Sequence, residues 1–164
     1  MSDDIRYAWG ESTLGAFIAA QSMDGLVAFE FADRGSPLDR LRERLPQSTL
    51  REDAAGLAAI VAALSRLVDR PDEASDIALD PRGSDYEKRV WSLLREIPAG
   101  TTVSYGEIAA RMGTRDARDV TAAIAANGIA ILVPCHRVLK KDGSLSGYRW
   151  GARRKRALLE RERR

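Results

Sequence analysis

The sequence predicts an α+β protein in two units: a small antiparallel sheet with helices over residues 1–80, and a mainly helical, winged helix-turn-helix-like unit over residues 81–164. Three observations predict it. The first third consists of short apolar or alternating runs broken by a turn signal, the second half carries helix starts marked by capping boxes, and the charge balance changes sign near residue 80. Residues 1–80 hold 8 Lys or Arg against 15 Asp or Glu, and residues 81–164 hold 18 against 9, so a net charge of +2 conceals an acidic half and a basic half. A basic half of this kind fits a polyanionic partner, nucleic acid first. A solvated helix face is the plain alternative for "RRKR" and "RERR".

In chain order, "YAW", "GAFIAAQS" and "LVAFEFA" read as strands, and Met23 to Gly25 form the hairpin turn between the last two. "SPLDRLRERL" reads as a short helix from Ser36 with proline in its first turn. "DAAGLAAIVAALSRLVDRP" reads as a longer one, whose Leu57, Ile60, Val61, Leu64, Leu67 and Val68 share the face that packs on the sheet. Ser84 to Glu87 form a capping box for a helix that buries Tyr86, Val90, Trp91 and Leu94 and stops at Pro98 to Gly100. Ser104 to Glu107 form a second, leading to a C-terminal cap at Gly113. "TRDARDVTAAIAANG" follows as a helix ended by Asn127 and Gly128, and the pair has the spacing of a helix-turn-helix with the later helix as reader. "IAILV" reads as a buried extended run and "KKDGSL" as the Asp-Gly turn of a hairpin or wing. The last helix turns Ala157, Leu158 and Ala152 inward and its basic residues outward.

Composition excludes several classes. No run approaches the roughly 18 to 20 apolar residues of a membrane span, and the acidic N-terminus lacks a basic segment followed by an apolar one, so a cytoplasmic protein with no membrane partner is expected. One cysteine makes no internal disulfide, and one cysteine with one histidine does not furnish a structural zinc site; no metal or cofactor is expected.

That cysteine, Cys135, adjoins the only histidine, His136, within "LVPCHRVLKK". Core packing is the ordinary fate of a free cysteine, but a neighbouring imidazole and a basic setting favour the thiolate and so a nucleophile. In extended chain adjacent side chains point to opposite sides, so the pair implies a relay through a turn or a water rather than direct contact. A carboxylate would orient the other ring nitrogen; Glu160, Glu162 and Asp142 are the candidates, and spacing does not choose among them. A cysteine hydrolase fits less well, since adjacent nucleophile and base have poor direct geometry. Thiolate chemistry directed at DNA unites the two halves of the reading.

At "VPCHRV" the chain resembles the O6-alkylguanine-DNA alkyltransferases. "VWSLLREIPAGTTVSYGEIAARMG", "NGIAILVPCHRV", "DGSLSGYRWG" and "RKRALLERE" are similar to family blocks in the same order. The "SGYRWG" form is most similar to members found within bacterial adaptive-response regulators. The resemblance implies a ribonuclease H-like N-terminal unit and a single-use methylated-DNA–[protein]-cysteine S-methyltransferase. Its substrate would be duplex DNA containing O6-alkylguanine, bound from the minor groove by a monomer that flips the base out. An alkylated-DNA sensing or transcription-regulating module is the alternative. The resemblance assigns Cys135 as nucleophile, His136 as base through a water, Glu162 as the acid completing the relay, Asn127 as a tie between the reading helix and the active-site segment, and Tyr105 as donor to the flipped guanine. It assigns Arg118 as the residue filling the vacated stack, with Ala117 and Thr121 on the DNA side. Val138, Tyr148, Arg149 and Trp150 would form the substrate pocket. Asp119 stands where the family usually has alanine and puts negative charge on the DNA-facing helix, and the turn from Gly113 to Arg118 is one residue shorter than in close relatives. Ala130 and Trp150 suit a pocket sized for methyl.

Overall fold

Alternation in the first third makes strands. In the computed structural model, which describes residues 3–32, 37–145 and 147–163, β1 (Asp3–Gly10), β2 (Phe17–Gln21) and β3 (Leu26–Phe31) form an antiparallel meander. The turn between β2 and β3 lies under residue 78: a Cβ on Gly25 would stand 2.7 Å from the Ala78 carbonyl oxygen, so only glycine fits that approach.

The sheet is mixed, not antiparallel. After α1 (Pro37–Arg44), a fourth strand, β4 (Ser48–Glu52), pairs parallel to β1, giving the order β3-β2-β1-β4. Its sequence hides it: "STLRE" offers one apolar side chain, Leu50, because the strand sits at the sheet edge with most of its surface in water. The predicted start of α1 at Ser36 lies outside the described residues. Helix α2 (Ala58–Asp69) begins five residues later than the composition suggests, since Asp53 accepts from the Gly56 amide at 2.9 Å and from Arg6 at 2.9 Å and holds residues 53–56 in a turn.

The second half follows its caps. Helix α3 (Asp85–Arg95) opens on a complete Ser84/Glu87 capping box, and α4 (Tyr105–Arg111) on a complete Ser104/Glu107 box, each worth about 1 kcal/mol of helix stability. Helix α5 (Ala117–Ala125) is capped by Asp116. Between α3 and α4 lies β5 (Val103–Ser104), which pairs parallel with β6 (Val138–Leu139). Among the described residues no antiparallel ladder flanks the Asp-Gly turn at residues 142–143. Instead the Lys140 amide donates to the Ser144 carbonyl and Asp142 takes the Ser144 amide, closing a tight loop.

Buried side chains form two clusters on opposite faces of the sheet. Ile5, Ile18, Ala20, Val27, Ala28, Leu41 and Leu45 pack under α1. The larger cluster joins Phe17, Phe29 and Phe31 to Leu64 and Val68 of α2, Val90, Trp91 and Leu94 of α3, and Ile108, Ile124 and Cys135, so one core spans both sides of residue 80. Trp91 donates its indole N–H to the Ala123 carbonyl at 2.8 Å, which lets α3 and α5 pack without stranding a polar atom. The outer edge of β3 is taken by two single-residue parallel bridges, Leu26 to Leu79 and Phe29 to Ile129.

Helix α6 (Ala152–Glu162) departs from the predicted orientation. Ala152 is exposed, while Lys155, Leu158 and Glu162 are buried. These three are spaced by three and four, so the helical period places the lysine inward; charge alone had suggested outward.

Candidate active site

The run from Ile129 to Pro134 is not the expected strand. Only Ile129 pairs with the sheet; the chain then folds back, with the Val133 amide on the Ile129 carbonyl and Ile131 at φ 67°, the one described non-glycine residue with positive φ. A β-branched residue held there costs on the order of 1–3 kcal/mol, so its surroundings must impose it. Asn127 is the agent: its Nδ2 donates to the carbonyls of Ile129 (3.2 Å) and Val133 (2.9 Å), and its Oδ1 accepts the Ile129 amide (3.0 Å). The same Nδ2 lies 3.3 Å from the Cys135 sulfur. One buried amide thus knots the turn and reaches the thiol.

Residues Cys135–Arg137 form a single 3-10 turn rather than extended chain, and all three are buried. The turn sends the cysteine and histidine different ways. Cys135 lines a cavity of about 600 Å³ together with Tyr105, Gly106, Thr121, Ile124, Ala125, Lys140, Lys141, Gly147, Tyr148 and Arg149. His136, fully buried, turns toward α6, where its Nε2 meets Glu162 Oε2 at 3.0 Å. Its Nδ1 is buried and has no hydrogen-bond partner among the described residues. Arg137 also binds Glu162, through Nε at 3.0 and 3.1 Å and through Nη2, and donates from Nη1 to the Ile97 carbonyl at 2.6 Å.

The electrostatics follow from burial. Burial pushes the Cys135 thiol up to about 11, outweighing the hydrogen bond from Asn127 and the positive charges of Lys155 and Arg149. Burial likewise lowers the His136 pKa against the pull of Glu162, so the ring is neutral at neutral pH. For Glu162 burial acts upward, but the hydrogen bonds from His136 and Arg137 prevail and hold the carboxyl below its ordinary value. A carboxylate facing Nε2 requires the hydrogen on that nitrogen, which leaves Nδ1 as the acceptor.

Among the sequence-derived candidates, Cys135, Tyr105, Thr121, Tyr148 and Arg149 share the cavity, and Asn127, His136 and Glu162 stand behind it. Trp150 packs edge-on against Tyr148 at 5.3 Å and lines a neighbouring depression with Thr13 and Arg154. Val138 is core, paired to Val103. Ala117 packs against the main core, and Arg118 projects from α5 with 90% of its side chain exposed, ion-paired to Asp116 at 2.7 Å. Asp119 is exposed on the same helix. Sequence reasoning missed Lys155, whose buried ammonium has a pKa lowered by burial and is drawn upward by Cys135. It also missed the structural part of Arg137. Among the described residues no helix is long and apolar enough to cross a membrane.

The family described as "6-O-methylguanine DNA methyltransferase, DNA binding domain" matches residues 85–164. The chain is 37% identical over 153 residues to the inducible methylated-DNA–protein-cysteine methyltransferase of Bacillus subtilis, covering 90% of this chain and 84% of that protein. It is 38% identical over 160 residues to the bifunctional transcriptional activator/DNA repair enzyme Ada of Escherichia coli, covering 96% of this chain and 45% of Ada; the chain thus spans about half the length of that relative. The crystal structure of Mycobacterium tuberculosis OGT in complex with DNA aligns with a TM-score of 0.79 at 36% identity, over 98% of this chain and 92% of that one.

Proposed function

The chain belongs to the methylated-DNA–protein-cysteine methyltransferase family, and from that premise we propose that it repairs DNA directly, moving a methyl or other alkyl group from O6 of guanine onto Cys135. The observation that carries this reading is the buried thiol on the cavity wall, backed by Asn127 and by a neutral imidazole anchored to a carboxylate.

The chemistry follows from the pKa directions. A thiol near 11 is protonated at neutral pH, so it needs a base. His136 Nδ1 takes the proton through a bridging water, and the imidazolium is held by Glu162. The thiolate attacks the alkyl carbon; a carbon–sulfur bond forms as the carbon–O6 bond breaks, and the electron pair leaves on guanine, which is protonated by a donor such as Tyr105. A thioether has no leaving path here, so each molecule acts once.

For DNA, residues 81–164 are read as the binding and alkyl-acceptor unit and residues 1–80 as a ribonuclease H-like N-terminal unit; the family match at 85–164 supports this division. Helices α4 and α5 act as a helix-turn-helix pair, with Ala117 and Thr121 toward the backbone and Arg118 entering the stack from the minor groove as guanine flips into the cavity. The ion pair to Asp116 is exposed and therefore weak enough to yield to a phosphate or a base.

Incubation with a duplex carrying O6-methylguanine, followed by intact-mass and peptide analysis, is expected to find one added methyl on Cys135. Tight binding without an adduct would favour the sensing reading instead. In Arg118→Ala, transfer from duplex should slow by about tenfold, equivalent to roughly 1.4 kcal/mol of lost help in opening the stack. Transfer from the free base should stay within about twofold; equal losses on both substrates would remove Arg118 from base flipping.

A further inference from the structure

Glu30 lies on β3 with no exposed surface, on the sheet face otherwise occupied by Ile18, Ala20, Ala28 and Leu41. A carboxylate at such a position is costly unless it is paired, and the strand pattern alone would place an apolar residue there. Its main partner comes from 119 residues along the chain: Arg149 donates to Glu30 Oε1 from Nε at 3.0 Å and approaches it with a second nitrogen at 2.9 Å. Arg44 of α1 stands 3.8 Å from the other oxygen, close enough for charge attraction and too far for a hydrogen bond.

Arg149 is a wall residue of the Cys135 cavity, and all three of its guanidinium nitrogens are committed. Two face Glu30, and the third donates to the Ala125 carbonyl at the end of α5 at 3.3 Å. A planar fork held at both ends has one orientation. Its neighbours Tyr148 and Trp150 have no comparable side-chain tether among the described residues, where the Tyr148 hydroxyl and the Trp150 indole N–H are buried without hydrogen-bond partners. Among the described residues, Arg149 is the side chain of this stretch that ties the cavity wall to β3 and to the end of α5, while Arg154 holds the Trp150 carbonyl from the far side at 3.1 Å.

We propose that Glu30 is a positioning residue for alkyl transfer: by fixing Arg149 between β3 and the end of α5, it sets the cavity wall against which the alkylated base meets Cys135. The inference rests on the repair reading above. Glu30 touches neither substrate nor sulfur and acts only through Arg149.

The test is single-turnover transfer from an O6-methylguanine duplex, separating the rate constant at saturating DNA from the half-saturating concentration. Glu30→Gln should lower the saturating rate about ten- to a hundredfold, as for a reacting group displaced by about 1 Å. The half-saturating concentration should stay within about twofold. Arg149→Met, which breaks the same contact from the cavity side and covers the case in which Glu30→Gln does not fold, should match it, and the double variant should be no slower than the slower single one. A fall in melting temperature with the saturating rate unchanged, or fully additive losses, would overturn the proposal. If the wild-type protein transfers no methyl, the repair reading fails, and amide exchange across residues 147–150 decides the positioning role by itself. Exchange at least about tenfold faster in Glu30→Gln supports it, and unchanged exchange refutes it.

Discussion

Cys135→Ala is expected to abolish methyl transfer outright while leaving affinity for the methylated duplex within about twofold, because the cysteine supplies the attacking atom and adds little to the binding surface. The substitution is structurally mild. Asn127 Nδ2 keeps the carbonyls of Ile129 and Val133 when it loses the sulfur, so no buried donor is stranded. Adduct formation in this variant would refute the assignment. The wild-type thiol gives a second reading through pH. With its pKa near 11, alkylation by a small reagent such as iodoacetamide, measured on the free protein, should rise about tenfold per pH unit between roughly pH 7 and 10, as the thiolate fraction does. A rate that levels off below pH 9 would mean that the polar groups around the sulfur outweigh its burial.

Glu162→Ala should be the most destabilising single change near the site. It leaves the nearly buried guanidinium of Arg137 without its carboxylate and frees His136 Nε2 at once. Breaking a buried pair from one side costs about 3–5 kcal/mol. In a chain of this size that lowers the melting temperature by roughly 10 °C. The pH dependence of the wild type has a defined sign. His136 and Glu162 both have folded pKa values below their ordinary values of 6.5 and 4.5, so the unfolded chain binds protons more readily. Their contribution is therefore complete above about pH 6.5. It is lost as pH falls, first through the histidine and then through the glutamate. Urea unfolding at pH 7.5 and 5 checks this: a midpoint that stays put or rises on acidification would be incompatible with a buried neutral imidazole.

Much of this fold is legible where local chemistry speaks for itself. Both capping boxes, the β2–β3 turn and the buried stripe of α2 were readable because a cap or a period needs only neighbours within a few residues. Strand β4 was not, since an edge strand with one apolar side chain carries no alternation. Lys155 was not legible either, since its charge points to solvent while its spacing from Leu158 and Glu162 points inward. For the site, single occurrence drew attention to Cys135 and His136, and the family resemblance, not spacing, selected Glu162 over Glu160 and Asp142. Nothing local announces that Glu30 meets Arg149, or that Asn127 reaches the sulfur; those pairings exist only once the sheet and the helices have closed on each other.

The two bridges on the outer edge of β3 imply an order of assembly. Strands β1 to β3 are synthesised first and pair through short connections, but the β3 edge stays open until residue 79, and then residue 129, arrives to occupy it. The Phe29–Ile129 bridge closes a loop of about a hundred residues, the kind of distant pairing that forms late. Ile131 and the cysteine turn lie just beyond that bridge in the chain, so the thiol is expected to acquire its setting late in folding, with the early sheet as its template.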